Sequence, residues 1–171
     1  MKSELRYATG FAVLTVVYTL IEHFLGFNTF NHRVGQYTRL AGIVFPIAAV
    51  YLGIRARRGE CEAGSSFTFL RGLRAGFLVA VFLSVFTSLW FLLYGNVINP
   101  DFLGTLLDFE KTRMIDAGTP VAEVDASIDQ LRTMYSFPVQ PLVQTLLGIA
   151  YGTFFAAVFS IFMRRKASAS S

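Results

Sequence analysis

The sequence predicts an all-α membrane protein: four transmembrane helices, with a short extracytoplasmic amphipathic helical hairpin between the third and the fourth. Three observations lead there. Residues 75–100 form a run of 26 without a charge; as a helix at ~1.5 Å per residue it is about 39 Å long, against a bilayer hydrocarbon core of about 30 Å. Apolar residues make up 54% of the 171-residue chain and charged ones 15%, well below the roughly 25% charged of soluble domains. The basic residues gather at the ends of apolar blocks. Membrane-flanking positive charge is distributed in this way, whereas a groove that tracks phosphates is not. The net charge of +4 is therefore not read as a nucleic-acid signal, and the length suits one domain, residues 1–166.

The first span is expected over 6–27. Its charge-free core, Tyr7 to Ile21, is short, so Glu22 and His23 must enter the outer part of the bilayer, with Gly26 and Asn28 ending the helix. The basic start of this block resembles a secretory signal, but no small-x-small cleavage site follows, and a retained helix is expected. A short polar connection, Asn28 to Gly35, makes the first two spans antiparallel neighbours. The second span is expected over 36–54, kinked by Pro46, which lacks an N–H.

Residues 55–74 are a basic loop with a turn at Gly59, Gly64, Ser65 and Ser66. Ser65 or Ser66 is the expected cap of the third span, 69–97. The loop arginines Arg55, Arg57, Arg58, Arg71 and Arg74 are candidates for contact with anionic lipid. Cys61 has no partner for a disulfide, and its flanking glutamates disfavour the thiolate.

Residues 100–136 are the extended acidic region. Asn99 and Pro100 read as a helix start there, with a break at Gly118 and a second helix from Thr119-Pro120. Val121, Val124, Ile128 and Leu131 lie three, four and three apart, on one stripe of that second helix. The fourth span is expected over 139–163. Gly148, Gly152 and Ala156 recur every four residues along it and form a small-residue face for close helix packing. The tail 167–171 is small and polar, with disorder expected.

Ten Lys and Arg belong to the N-terminus, the 55–74 loop and the C-terminus, and five to the opposite side. The positive-inside rule places the ten in the cytoplasm, so both termini are cytoplasmic in a multi-pass protein of the inner membrane. Trp90, Tyr94 and Tyr135 fall near the outer interface.

The run LGIRARRGECEAGSSFTFLRGLRAG, followed one helix later by Ile98, Pro100, Asp101 and Phe102, resembles a bacterial membrane family known as domain of unknown function 4199. Glu22, Leu25 and Gly26 match a further feature of some of its members. The resemblance covers nearly the whole chain. It implies a four-span architecture with an acidic outer segment, and no activity or catalytic residue.

Glu22 and Arg39 each lie 16 residues from the cytoplasmic end of their helix, hence at about the same depth, ~24 Å at ~1.5 Å per residue. They are the candidate intramembrane ion pair. Glu22 and His23 also read as a proton- or cation-handling site, against an interfacial anchor, which is the reading preferred here. Adjacent Glu22 and His23 point to different helix faces, so a metal site with His32 is not expected. Among the midspan hydroxyls, Ser84, Thr87 and Ser88 are expected to bond their own backbone. No phosphate loop, paired mid-membrane carboxylates or Ser/His/Asp set is visible, and neither catalysis nor a cofactor is expected. The leading expectation is a non-catalytic assembly or interaction component, with membrane lipids and a second copy or an unknown membrane protein as partners. The alternative is an oligomeric transporter or channel subunit for a small molecule or ion.

Overall fold

The computed structural model describes residues 2–61 and 65–165. The expected tail and the turn at Gly64 lie outside them. The described chain is helical: α1 (Lys2–Phe24), α2 (His32–Ala41), α3 (Val44–Gly59), α4 (Phe69–Leu93), a π-turn (Tyr94–Ile98), α5 (Phe102–Asp116), α6 (Val121–Met134) and α7 (Val139–Met163). Four helical stretches are long and apolar enough to cross a membrane: Lys2–Phe24, His32–Gly59, Phe69–Ile98 and Val139–Met163.

α1 stops at Phe24, three residues before its expected end. Gly26 adopts φ +78°, a left-handed conformation open to glycine. The chain reverses there, with Gly26 N–H donating to His23 O and Phe27 N–H to Glu22 O. This paired pattern satisfies the last carbonyls of a helix. α2 then begins four residues earlier than expected, because the Asn31 side chain accepts from Val34 N–H and caps it. His32 and Arg33 are therefore helical, not part of a loop. The expected single helix over 36–54 is divided at Gly42–Ile43. Pro46 has no N–H to offer Gly42 O, four residues back, and that carbonyl accepts from Phe45 N–H instead.

α4 is capped by Thr68, whose side chain accepts from Arg71 N–H, and not by Ser65 or Ser66. The backbone carbonyls of both serines are used elsewhere: Arg165 Nε donates to Ser65 O and Arg71 Nη1 to Ser66 O. Asn99 is not a helix cap either. α5 starts at Phe102, after a turn in which Phe102 N–H donates to Asn99 O. α5 and α6 pack on each other through Leu107, Val124 and Ile128, with Leu131 beside them. Val121, assigned to the same stripe, is exposed at the first position of α6.

α4 is the hub, in contact with α1, α3 and α7, and its interface with α7 is the largest in the molecule. The two run antiparallel, and their meeting faces are built from small residues in register. Gly148 faces Ser84, Gly152 faces Ala80, Ala156 faces Gly76, and Ser160 faces Gly72. Each step of four along α7 is matched by a step of four back along α4, so the two backbones approach closely over four turns. Further along the seam Ser88 Oγ donates to Pro141 O and is 2.7 Å from Thr145 Oγ1. Ser88 therefore bonds across helices, while Thr87 bonds its own helix at Leu83 O and Ser84 O.

At the terminal end of the bundle, Phe67 and Arg165 exchange two backbone hydrogen bonds of 2.9 Å, joining the entry to α4 to the exit from α7. Above this tie Ala8, Ile54, Phe67, Ala75, Val79 and Met163 form a continuous apolar core.

Candidate functional site

Four buried polar residues, Glu22, Asn28, His32 and Asn99, converge at the other end of the bundle, where the turn after α1, the start of α2, the π-turn and α5 meet. The π-turn comes first. Asn99 N–H donates to Tyr94 O, five residues back, and this wider spacing sets both side chains on one face. Asn99 Nδ2 then donates to Tyr94 Oη at 3.1 Å and to Asn28 O at 2.8 Å. Tyr94 Oη is also 3.1 Å from His23 Nδ1. Tyr94 is only 1% exposed. It is not an interfacial ring but the buried junction between α1 and α4, with the rings of His23, Trp90 and Phe102 around it.

Asn28 is the second junction. Its Nδ2 donates to Glu22 Oε2 at 3.4 Å, and its Oδ1 accepts from Arg39 Nη1 at 3.2 Å. A carboxamide is suited to this position, since its N–H suits the carboxylate and its carbonyl suits the guanidinium. Glu22 and Arg39 thus lie on one polar network, as their depths suggested, but they make no direct ion pair: Asn28 stands between them. Equal depth along straight, unbroken helices would bring the two charges face to face. The reversal at Gly26 folds Asn28 over the end of α1, and the break at Gly42–Ile43 redirects α2.

Glu22 is 4% exposed, and its second oxygen, Oε1, is buried without a hydrogen-bond partner. It lines a chamber of about 300 Å³ together with Arg39, Gln144, Tyr18, Thr15 and Thr19. The chamber descends between α1, α3, α4 and α7 and ends on Val50, Ala80 and Gly152. The hydroxyls that α1 brings to it have committed their protons. Thr15 donates to Phe11 O, Thr19 to Thr15 O and Tyr18 to Thr38 O. The oxygens that remain toward the chamber are acceptors. His23 turns to Tyr94 and His32 to Thr105 Oγ1, so neither histidine joins Glu22 in a ligand set.

The chain matches the family model described as Protein of unknown function (DUF4199) over residues 6–165. It belongs to this family. No curated protein and no solved structure matches it. Its helical architecture, with four stretches long and apolar enough to cross a membrane, fits a multi-pass membrane protein.

The other candidates of this DUF4199 chain are placed as follows. Gly148, Gly152 and Ala156 lie in the α4–α7 seam, with Gly148 and Gly152 also reaching the chamber wall. The matching row on α4, which the sequence reading missed, carries the same signal: Gly72, Gly76, Ala80 and Ser84 are also spaced by four. Of the five loop arginines, Arg57, Arg71 and Arg74 surround a cavity of about 500 Å³ at the terminal end, with Glu4 and Glu60 beside them. Arg57 pairs with Glu60 at 2.7 Å and with Glu4 at 3.7 Å. The Arg57 hydrogen bond is the foremost cause that holds the Glu60 carboxyl below its usual range. Arg55 and Arg58 stand outside this cavity.

Gln144 was absent from the sequence reading, and Asn28 and Asn99 were read there only as helix ends. Each is a carboxamide near the end of an apolar block, a position that pattern alone assigns to a cap or an interface.

Proposed function

We propose that the protein is a non-catalytic component of the bacterial inner membrane that acts by binding, with both termini and the 55–74 loop in the cytoplasm. On this reading α5 and α6 form an extracytoplasmic pair over the outer ends of the spans. Arg57, Arg71 and Arg74 then face the anionic headgroups of the inner leaflet, each basic residue near such a surface contributing roughly 1 kcal/mol.

The observation that carries the reading is the sealed half of the bundle. The chamber stops at Val50, Ala80 and Gly152, and between that floor and the terminal end lies the apolar core around Ile54, Phe67 and Val79. Among the described residues, a single copy in this conformation offers an ion no polar route across. That favours a binding or assembly role over a conduit. The chamber itself favours one second reading, a transporter that opens the α4–α7 seam in another state.

Reporter fusions active only outside the cytoplasm test the topology: activity is expected at residue 118 and not at 62 or 171, and the reverse would overturn it. Purification from native membranes in mild detergent tests the role. A stoichiometric membrane-protein partner supports the assembly reading. A homo-oligomer that carries solute flux in liposomes replaces it with the transporter.

A further inference from the structure

The chamber poses a chemical question that membrane anchoring leaves unanswered. A buried carboxylate with one bare oxygen is costly unless something meets it. Glu22 Oε1 is such an atom, and the Glu22 side chain lines the chamber, which is open on one flank. Arg39 lines the same space and is half-buried. Among the described residues its guanidinium makes one hydrogen bond, to Asn28, out of five N–H groups. Asn28 holds the two charges apart while leaving each with unused bonding capacity.

Simple ligands fit this pair poorly. A bare cation meets Glu22 but also the like charge of Arg39, and a divalent ion wants six or more oxygens. A bare anion meets Arg39 but also Glu22. A molecule with both signs of charge satisfies both. The hydroxyl oxygens of Thr15 and Thr19, their protons committed to the helix backbone, add acceptors on the Glu22 side and call for a ligand group rich in N–H. The apolar floor of Val50, Ala80 and Leu83 excludes a second charged group there. At about 300 Å³ the chamber stands at the lower end of the ~300–1,000 Å³ typical of ligand sites.

We propose that this chamber binds a small zwitterion, its primary ammonium on the Glu22 carboxylate and its acidic group on the unoccupied N–H groups of Arg39. The chemistry is shared by a phosphoethanolamine lipid headgroup and by a free amino acid of similar length. Ile43, at the break between α2 and α3, lines the chamber and is 51% exposed on the flank of the bundle, so entry from the bilayer side is open to a headgroup.

The test is ligand-dependent thermal stability and native mass spectrometry of the full chain in a neutral detergent. The probes are dihexanoyl-phosphatidylethanolamine, its phosphatidylcholine and phosphatidylglycerol counterparts, soluble O-phosphoethanolamine, and β-alanine. The ethanolamine lipid, the soluble zwitterions or both should bind at least tenfold more tightly than phosphatidylglycerol, which lacks the ammonium, and phosphatidylcholine, whose ammonium has no N–H. Binding by the lipid alone identifies a headgroup site; binding by the soluble compounds identifies a free-solute site. Glu22→Gln and Arg39→Gln should each weaken binding at least tenfold. Because either change also disturbs the Asn28 network, Gln144→Phe is the companion: it leaves both charges in place and fills the chamber, so it should abolish binding while the unliganded protein melts normally. Equal response to phosphatidylglycerol, no response to any amine-bearing zwitterion, or undiminished binding by Gln144→Phe would overturn the proposal.

Discussion

Replacing single glycines with alanine separates the close approach of α4 and α7 from ordinary helix propensity. Alanine is favoured over glycine in a helix by about 1 kcal/mol, so where space is open the change stabilises. Gly10 on α1 is that control: a Cβ there meets nothing within 4 Å. Gly152 is the opposite case. Its Cβ would fall on Ala80 Cβ and lie 3.4 Å from Ala80 Cα, and neither atom can rotate away. Overpacking of this kind costs ~1–3 kcal/mol, from which the propensity gain is subtracted. Gly148 lies between the two: its Cβ would meet Ser84 Oγ, which a rotamer change can move aside, and Ser84 Cβ at 3.1 Å, which must give by a few tenths of an ångström. The expected order of melting midpoints in detergent is Gly10→Ala above wild type, Gly148→Ala near it, and Gly152→Ala below it. At ~2–4 °C per kcal/mol for a chain of this size, the extremes, separated by about 1–3 kcal/mol, should differ by roughly 2–12 °C. Gly152→Leu should fall further. If Gly152→Ala rises alongside Gly10→Ala, the two backbones are not in contact and the small-residue register is wrong.

Three further outcomes are expected. In a double-mutant cycle, Glu22→Gln and Arg39→Gln should couple by about 0.5–1 kcal/mol, and the coupling should vanish in an Asn28→Ala background; coupling that survives there would mean direct pairing. Asn99→Leu removes the donor to Asn28 O and Tyr94 Oη and should cost ~1–3 kcal/mol by thermal melting, since buried partners are left unsatisfied; an unchanged midpoint would leave the junction without a structural role. Thr68→Ala should cost ~1 kcal/mol and Ser66→Ala much less, which melting of the two variants decides, because Thr68 caps α4 through its side chain while Ser66 contributes its backbone carbonyl.

Apolar blocks and their charged ends are local properties, so the four membrane-length stretches were legible in the sequence. The α7 half of the seam was visible through its spacing of four, but the α4 half was hidden within the long apolar run. The break between α2 and α3 was half legible. Pro46 announced a kink, and the position follows from the carbonyl four residues back, at Gly42, once that rule is applied. Tyr94 was misread because aromatics near the end of a span usually sit at the interface, whereas the π-turn directs this one inward. The bridge at Asn28 was not legible. It depends on a reversed turn laying one carboxamide between two helices, and no periodicity encodes that placement.

The seam between α4 and α7 also has a consequence in time. α4 ends at Leu93 and α7 at Met163, so about 70 residues must be synthesised after the first face of the seam exists, roughly 4–14 s at ~5–20 residues per second. During that interval the furrow of Gly72, Gly76, Ala80 and Ser84 has no helix to close it. On the proposed topology acyl chains or the insertion machinery would fill it, and α7 would complete the bundle by displacing that temporary tenant.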